Sequence, residues 1–487
     1  MNTKNYTFID IFCGIGGFSY GFEEADFVLK LAIDNNLKLK ETFNKNHNRS
    51  VFRQYDLSKE TINKLNDLKV DLFIGSPPCQ GFSDARGCRI IKKKKDLLRN
   101  SLSFAFLKLV EYFQPKIVLL ENVKGLSTYK LNGCLLLNKI LEEFDKLNYN
   151  ICFNILNALD FGIPQNRERI FFLAVHKEFK ITPILNTKII LQSVKTYKPT
   201  LRDVFTDLPL DVDNQNYLKN YDEATPYQKM MRDKKNDKLY NHNILSYPNE
   251  KELELIQNLP QGKEYRSSRF GKKYIGVWDL YKAQLLQDER ELFYFLCKKR
   301  TLNEFKELKK KYQEGYIRIE KFPINKKGKF QCEFFEKNSE ENTNRTPQKI
   351  IDGLIEKGFI RKRAFMEGNN PYYAYDINTK SGIRPKYRRL SYEGQSSTIQ
   401  TVSFKVNDLI HPVANRPLTF REGARIQSFP DSFVFYGSKI NIASMIGNAV
   451  PPLMAYHLGL YIYSLLDYIA GKKESINVIS KKIKISS

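Results

Sequence analysis

The 487-residue sequence predicts a doubly wound α/β domain that is interrupted by a large inserted domain. Short apolar runs alternate with helix-like segments through the first 180 residues. This rhythm stops near residue 200, where Lys, Asn and Tyr become frequent, and ordered-looking motifs return near residue 386. We therefore expect residues 1–200 and 386–487 to form one domain, with residues 201–385 inserted between them.

Five apolar runs predict the strands of the first domain. Near-continuous apolar runs separated by helical stretches are typical of a parallel sheet that is covered on both faces. Ligands bind such a sheet at the carboxyl ends of its strands, so the residues that follow each run are candidate site residues. The runs are "YTFIDIF", "FVLKLAID", "DLFIGS", "KIVLLEN" and "RIFFLAV".

The formal net charge of +25 predicts a polyanionic partner. Residues 261–390 hold 31 Lys and Arg against 17 Asp and Glu, which gives +14, more than half of the excess. Aromatic residues are interleaved with these charges, as in "KEYRSSRFGKKYIGVW". Phosphate contacts combined with stacking on bases or sugars need this mixture, so we expect nucleic acid. A solvated basic surface without a partner is the alternative.

The seven cysteines are scattered, no CxxC pair occurs, and only five histidines are present. This composition predicts neither a disulfide framework nor a metal site. No apolar run approaches the length of a membrane span, and the sequence begins with a strand-like run instead of a signal peptide. We expect a cytoplasmic protein that binds no membrane.

A glycine turn follows the first apolar run, in "DIFCGIGGFSYGFEEA". Gly14, Gly16 and Gly17 allow the backbone to approach a ligand closely at the start of a helix. The second run ends in Asp34, whose carboxylate can bind ribose hydroxyls. A phosphate-binding loop would need a longer glycine pattern or a P-loop lysine. The turn therefore predicts an adenosine-containing cofactor without a pyrophosphate, and S-adenosylmethionine fits.

Cys79 follows two prolines in "GSPPCQGFSD". Each proline ring fixes φ and restricts the residue before it, so the thiol is held in place. A pre-organised thiol suits a nucleophile, whereas a small buried cysteine is the structural alternative.

Charged and amide side chains border two further runs. Glu121 ends "KIVLLEN" at the sheet edge predicted for Cys79, where it could exchange a proton; an ordinary cap is the alternative. Gln165, Arg167 and Arg169 occupy alternate positions of "PQNRERIFFLAV". This period predicts both arginines on one face of a strand. Because they lead directly into a buried strand, we favour a polar role near the site over a solvated charge run.

Taken in order, nine motifs of this sequence resemble those of the C5-cytosine DNA methyltransferases. They span residues 8–180 and about 384–469, roughly half of the chain, and the insert occupies the position of that family's target-recognition domain. The resemblance implies an S-adenosylmethionine-dependent, Rossmann-like catalytic domain in 1–200 and 386–487, with a target-recognition domain in 201–385. The motifs are "DIFCGIGG", "AIDNN", "YDLS", "GSPPCQGFS", "LLRNSL", "LLENVKGL", "FGIPQNRER", "RPLTFREGARIQSFPDSF" and "MIGNAVPP".

The resemblance implies catalytic roles for five residues. Cytosine C5 is too weak a nucleophile to attack a methyl sulfonium, and a thiolate from Cys79 adding to C6 would activate it. Glu121 would bind the N3 and N4 edge of the base and assist protonation at N3. Arg169 would hold O2, with Arg167 beside it and Gln165 in support. Since the base cannot be reached inside a duplex, it must be flipped out.

The resemblance also implies a cofactor pocket for S-adenosylmethionine. Phe12 would lie against the adenine, the three turn glycines would surround the methionine part, and Asp34 would bind the ribose. The remaining residues would be Asp56 at the adenine amino group, with Leu102 and Asn448 completing the pocket.

Three alternative functions share some of these features. An RNA-directed relative that methylates tRNA has the same motifs, but the large basic insert favours sequence-specific double-stranded DNA. Amino-methyltransferases need no thiol, and "SPPC" counts against them. A non-catalytic DNA-binding regulator on the same fold predicts loss of Cys79, Glu121 or the arginines. We expect a monomer, in a setting compatible with a restriction endonuclease that shares the DNA site without binding the enzyme.

Residues 346–380 predict a helix followed by a hairpin within the insert. "TPQKIIDGLIEKG" has a helix start, helical apolar spacing and a glycine stop. "FIRKRAF" and "YYAYDI" flank the turn-rich "MEGNNP". If this segment binds DNA, Arg361, Lys362 and Arg363 are the expected phosphate contacts; a purely structural role is the alternative.

Overall fold

The computed structural model describes nine stretches of the chain and a few isolated positions. Cys79 and Leu102 lie outside the described residues, as does most of the segment 346–380. The described stretches are 5–47, 51–57, 68–78, 105–131, 134–192, 197–232, 238–257, 259–265 and 386–472, with 306, 310, 356, 360–362 and 375–377.

The helices and strands of the described chain follow in sequence order. The strands are β1 (Thr7–Ile11), β2 (Val28–Asp34), β3 (Phe52–Gln54), β4 (Leu72–Gly75), β5 (Ile117–Val123), β6 (Lys130–Leu131), β7 (Cys134–Leu135), β8 (Tyr149–Asn157), β9 (Gln165–Asn166), β10 (Glu168–His176), β11 (Glu264–Tyr265), β12 (Ile360–Lys362), β13 (Tyr375–Ile377), β14 (Lys386–Arg389), β15 (Ser396–Ser397) and β16 (Leu409–Ile410). The α-helices are α1 (Gly17–Glu24), α2 (Lys40–Asn46), α3 (Leu136–Lys146), α4 (Thr187–Ile190), α5 (Leu201–Phe205), α6 (Pro226–Met231), α7 (Glu250–Gln257), α8 (Phe420–Ile426), α9 (Lys439–Asn448) and α10 (Pro452–Ile469).

A seven-stranded sheet in the order β3-β2-β1-β4-β5-β10-β8 forms the centre of the fold. The first five of these strands are parallel, which confirms the predicted α/β class. β10 runs antiparallel to both β5 and β8, although its apolar run predicted a further parallel strand. The physical reason is the short connection, residues 158–167, because a parallel neighbour needs a crossover of about a dozen residues or more.

The sheet is covered on both faces, as its apolar strands require. Phe8 and Ile9 are adjacent in β1, so their side chains point to opposite faces. Phe8 packs in one cluster with Phe22 of α1 and Leu458 of α10. Ile9 belongs to a second cluster, which contains Phe144 of α3.

The closing segment of the chain packs directly against its beginning. A Cβ added to Gly21 of α1 would lie 2.5 Å from Ala455 Cβ and 2.3 Å from the carbonyl oxygen of Pro452. The Tyr6 hydroxyl donates a hydrogen bond to Asp467 Oδ1 at 2.9 Å. These contacts join the beginning and the closing segment of the chain in one compact unit.

The chain divides into two compact units, and the boundary lies later than residue 201. One unit is Met1–Leu253 with Arg388–Ser487, and the other is Glu254–Tyr387. Residues 201–253, which the sequence analysis assigned to the insert, therefore lie in the unit that contains the sheet.

Packing and buried charge explain why residues 201–253 belong to that unit. Phe205 shares an apolar cluster with Ile446. The Arg425 guanidinium is fully buried between two carboxylates, with Nη1 at 2.6 Å from Asp207 Oδ1 and Nη2 at 2.6 Å from Asp431 Oδ2. A buried charge is costly unless it is paired or hydrogen-bonded, and these two ion pairs bind Asp207 to the closing segment.

In the second unit, β12 and β13 pair antiparallel. Their register joins Ile360 to Ile377 and Lys362 to Tyr375. These are the two segments whose sequence predicted a hairpin. Of the helix predicted before them, residue 356 is described and is helical, and the rest lies outside the described residues.

The stretch Lys439–Ile469 is long and apolar enough to cross a membrane by length and composition alone. In this protein, 72% of its most apolar window is buried inside the structure. It contains α10, whose apolar side chains form part of the core beneath the sheet.

Asp10 of β1 is a buried carboxyl group that joins the sheet to α1. Its Oδ2 accepts a hydrogen bond from Ser19 Oγ at 2.5 Å, and its Oδ1 has no hydrogen-bond partner among the described residues. Burial raises the pKa of Asp10 to about 8, and the negative charges of Asp34 and Glu23 act in the same direction. Asp10 therefore retains its proton in the folded protein at neutral pH.

We expect Gly21→Ala to lower the free energy of unfolding by about 1–3 kcal/mol, because the added methyl group overlaps the backbone and Ala455 of α10. Urea denaturation measures the change. The matched control is Gly394→Ala, where the nearest atom lies 3.7 Å from the added Cβ and the change stays below about 1 kcal/mol. Equal effects of the two substitutions would contradict the close helix contact.

We expect Asp10→Asn to stabilise the protein relative to the wild type as pH rises. A folded pKa of about 8 lies above the ordinary value, so the wild type loses stability between about pH 4 and pH 8, by up to about 1.4 kcal/mol per unit. Asparagine carries no proton to lose and still accepts from Ser19. Denaturation at pH 5 and pH 8 gives the difference between the two proteins; a difference that does not change with pH would show that Asp10 is ionised.

Candidate active site

The predicted site residues of β1, β2, β4 and β5 converge on one edge of the sheet. In the strand register, Ile11 pairs with Ile33 and Gly75, and Gly75 pairs with Leu120. The residue that follows each of these positions therefore lies at the same carboxyl edge. Those residues are Phe12, Asp34, Ser76 and Glu121, which is the arrangement expected of a parallel sheet.

The glycine turn is tied to the end of β2. Phe12 and Gly14 have φ values of +62° and +59°, and Gly14 N donates to Asp34 Oδ2 at 3.1 Å. The other carboxylate oxygen of Asp34 accepts from Asn36 N at 2.9 Å. Burial raises the pKa of Asp34, while the hydrogen bonds from Asn36 and Gly14 oppose this rise. Asp34 thus fixes the turn and lies at its rim.

The three turn glycines differ in what surrounds them. A Cβ on Gly14 would meet no described atom within 4 Å, so this position opens onto free space. A Cβ on Gly16 would lie 2.0 Å from His47 Nε2, and one on Gly17 would lie 2.5 Å from the carbonyl oxygen of Val450. Gly16 and Gly17 therefore permit close packing beneath the turn, and Gly14 leaves room above it.

Two further candidates for the cofactor pocket lie near this turn. Tyr55 N donates to the carbonyl oxygen of Asp34 at 3.0 Å, which places the half-buried Asp56 beside the end of β2. Asn448 is exposed at the end of α9, two residues before Val450, and its Nδ2 donates to Ser444 Oγ at 3.1 Å.

The prolines that precede Cys79 are fixed between two strand ends. Ser76 N donates to the carbonyl oxygen of Ile11 at 3.2 Å, and Ser76 Oγ donates to that of Phe12 at 3.3 Å. From β5, Asn122 Nδ2 donates to the carbonyl oxygen of Pro77 at 3.3 Å. Sequence reasoning gave Asn122 no role, although its position directly after Glu121 was a usable signal. The chain is therefore held in place up to Pro77, two residues before Cys79.

Glu121 and Arg169 form a buried ion pair across neighbouring strands. Arg169 Nε lies 3.0 Å from Glu121 Oε1, and the side chains are 15% and 10% exposed. Burial raises the pKa of Glu121 although Arg169 and Arg167 oppose this, and burial lowers the pKa of Arg169. A carboxyl group in this setting accepts a proton more readily than an exposed one.

Gln165 and Arg167, which precede Arg169 at alternate positions, bind the closing segment of the chain. Arg167 Nη1 donates to the carbonyl oxygen of Ile399 at 3.1 Å, and Nη2 donates to that of Ala449 at 2.9 Å. Gln165 Oε1 accepts from Ile399 N at 2.7 Å, and its Nε2 donates to Gln427 Oε1 at 3.0 Å. Gln165 and Arg167 thus both bind the backbone of Ile399, as neighbours on one face. Their alternate spacing in the sequence did not indicate these hydrogen-bond partners.

The chain matches the family described as C-5 cytosine-specific DNA methylase over residues 6–464. It is 28% identical over 489 residues to the Type II methyltransferase M.DdeI of Desulfomicrobium norvegicum, covering 97% of this chain and 90% of the relative. Identity to the Type II methyltransferase M.AgeI of Thalassovita gelatinovora is 27% over 478 residues, covering 92% and 96%.

Among solved structures, a putative DNA modification methyltransferase encoded within a prophage of E. coli shares the fold. The TM-score is 0.60 at 21% identity, with 95% of this chain and 100% of that chain covered. Polar side chains at one sheet edge and a buried Glu121–Arg169 pair are consistent with the family match. With nearly its whole length matched, the chain belongs to the C-5 cytosine-specific DNA methylase family and is a DNA cytosine-5 methyltransferase.

Proposed function

We propose that this enzyme transfers a methyl group from S-adenosylmethionine to C5 of a flipped cytosine at a specific site in double-stranded DNA. The observation that carries the proposal is the buried Glu121–Arg169 pair at the sheet edge. Its neighbour Asn122 binds the carbonyl oxygen of Pro77, two residues before the proposed nucleophile Cys79. An acid and a cation at the sheet edge that the chain reaches two residues before a cysteine suit covalent catalysis on a pyrimidine.

S-adenosylmethionine would supply an electrophilic methyl group next to the base. The free space above Gly14 and the carboxylate of Asp34 at the rim support a pocket of this type. Phe12 would stack on the adenine, and the turn that contains Gly16 and Gly17 would border the methionine part. The other proposed pocket residues are Asp56, Leu102 and Asn448.

The chemistry assigned to the protein is addition, transfer and elimination. The Cys79 thiolate forms a bond to C6 while Glu121 donates a proton to N3, which makes C5 nucleophilic. The raised pKa of Glu121 supports its role as this donor. Arg169 holds O2 of the base. When C5 acquires the methyl group, S-adenosylhomocysteine is released. C5 then loses its proton to water, the C6–S bond breaks to release the thiolate, and N3 returns its proton to the Glu121 carboxylate, which restores the aromatic ring and the enzyme.

The proposed DNA partner is supported by the charge of the chain. Residues 261–390 carry an excess of 14 positive charges, as 31 basic minus 17 acidic side chains, and we assign target recognition to the insert. The relatives M.DdeI and M.AgeI are Type II methyltransferases. By analogy, we place this enzyme in the cytoplasm as a monomer that protects DNA from a restriction endonuclease with the same site.

Cys79→Ser should abolish methyl transfer, because a serine hydroxyl is not ionised at neutral pH, while DNA binding stays within a few-fold of the wild type. The measurement is bisulfite sequencing of duplex DNA and of tRNA after incubation with each protein. Cys134→Ser, at an exposed position of β7, is the matched control and should leave methylation unchanged. A Cys79→Ser enzyme with wild-type turnover would reject Cys79 as the nucleophile; methylated tRNA with unmodified DNA would reject the substrate.

Neutralising Arg361, Lys362 and Arg363 together should weaken binding to all DNA sequences and flatten its salt dependence by up to about three charge contacts. The first two residues belong to the paired strand β12. Fluorescence anisotropy over a salt series measures the slope. The control neutralises Lys30, Lys180 and Lys188, which are exposed in the sheet-containing unit and should change the slope less. Unchanged affinity and slope in the first triple variant would make this hairpin a scaffold only.

A further inference from the structure

Arg167 is a buried cation whose partners are backbone carbonyl groups. The side chain is 2% exposed. Its guanidinium donates to the carbonyl oxygens of Ile399 at 3.1 Å, Gly447 at 3.4 Å and Ala449 at 2.9 Å. Within the described chain it makes no ion pair, and its Nε has no hydrogen-bond partner. An arginine held this way depends on the backbone geometry around it, because carbonyl groups are its hydrogen-bond acceptors.

Two of these carbonyl groups bracket Asn448. Gly447 precedes it and Ala449 follows it, so the Arg167 guanidinium fixes the peptide on both sides of a residue whose own side chain is exposed. The next residue, Val450, packs its carbonyl oxygen against Gly17 of the glycine turn. Arg167 therefore holds the turn that carries Asn448 beside the glycine turn.

Arg167 is also close in sequence to the buried ion pair, because it lies two residues before Arg169. Burial lowers the pKa of Arg167, and its positive charge opposes the rise that burial causes in the pKa of Glu121. Arg167 lies between β9 and β10, and Arg169 is the second residue of β10. One side chain thus lies between the groups assigned to the base and the backbone assigned to the cofactor.

We propose that Arg167 is a positioning residue that couples the two halves of the active site and touches neither the cytosine nor the cofactor. It fixes the backbone on both sides of Asn448, and thereby the position of S-adenosylmethionine relative to Glu121 and Arg169. This inference rests on the proposed function, since it needs a cofactor at the glycine turn. It differs from the role of a base-binding arginine, because the loss of Arg167 should first affect the cofactor.

The test compares Arg167→Lys with Arg169→Lys. Lysine keeps the charge, but its compact ammonium cannot bind carbonyl groups in the fork geometry of a guanidinium. We expect Arg167→Lys to weaken S-adenosylhomocysteine binding and raise KM for S-adenosylmethionine about tenfold, the size expected for one lost charge-assisted hydrogen bond. At saturating cofactor, kcat should fall less than about threefold. Arg169→Lys should lower kcat and leave cofactor affinity unchanged.

A double substitution shows whether Arg167 acts through Asn448. If it does, adding Arg167→Lys to Asn448→Ala should weaken S-adenosylhomocysteine binding little beyond the loss caused by Asn448→Ala alone. In the control, Arg169→Lys combined with Asn448→Ala should show the lower kcat of the first substitution and the weaker binding of the second, independently of each other. The inference is overturned if Arg167→Lys binds S-adenosylhomocysteine like the wild type and loses turnover as Arg169→Lys does. Additive losses of affinity in the first pair would also overturn it.

A measurement on the wild type covers the case in which Arg167→Lys does not fold. Adding S-adenosylhomocysteine should slow amide hydrogen exchange at residues 447–450 and at 165–171 together. Slowing at 447–450 alone would overturn the coupling. The wild type separates the two hypotheses. If it binds S-adenosylhomocysteine and methylates cytosine but the results above are not observed, only the role of Arg167 is rejected. If it does neither, the proposed function is rejected.

Discussion

Helices α1 and α10 touch at Gly21, where Ala455 and the backbone at Pro452 leave no room for a side chain. This contact closes a domain whose chain leaves it after Leu253 and rejoins it at Arg388. Because α1 begins at the glycine turn and α10 follows the turn at Asn448, their packing sets the spacing of both turns. The geometry that we assign to cofactor binding therefore depends on this helix contact.

Two buried arginines of this domain have their charge stabilised in different ways. Arg425 lies between Asp207 and Asp431, so its charge is balanced by carboxylates within the closed network. Arg167 instead relies on the carbonyl groups of Ile399, Gly447 and Ala449. The first arrangement secures residues 201–253 to the sheet-containing unit. In the second arrangement, the stabilisation of the buried Arg167 charge depends on where the closing segment places its carbonyl groups. This dependence is the reason that we assign Arg167 a role in linking distant parts of the site.

The placement of several site residues could be predicted because apolar runs mark where strands end. Asp34 and Glu121 end such runs, and a parallel register brings those ends to one edge. The direction of β10 was not predictable from its composition, since a buried antiparallel strand is as apolar as a parallel one. Its short connection to β8 was the available signal. The boundary at Leu253 could not be predicted for another reason. Residues 201–253 belong to the sheet-containing unit through contacts such as the packing of Phe205 against residues beyond position 400, which are distant in sequence.

The sequence alone determined the α/β class, the order of the motifs, the return of the chain after an insert and the residues that gather at the sheet edge. These features follow from local periodicity and from neighbours along the chain. Only the tertiary structure decided which groups those residues bind. Asn122 donates to Pro77, and Arg167 donates to carbonyl groups more than 200 positions away. Long polar side chains reach partners that packing brings near, and no local pattern specifies those partners.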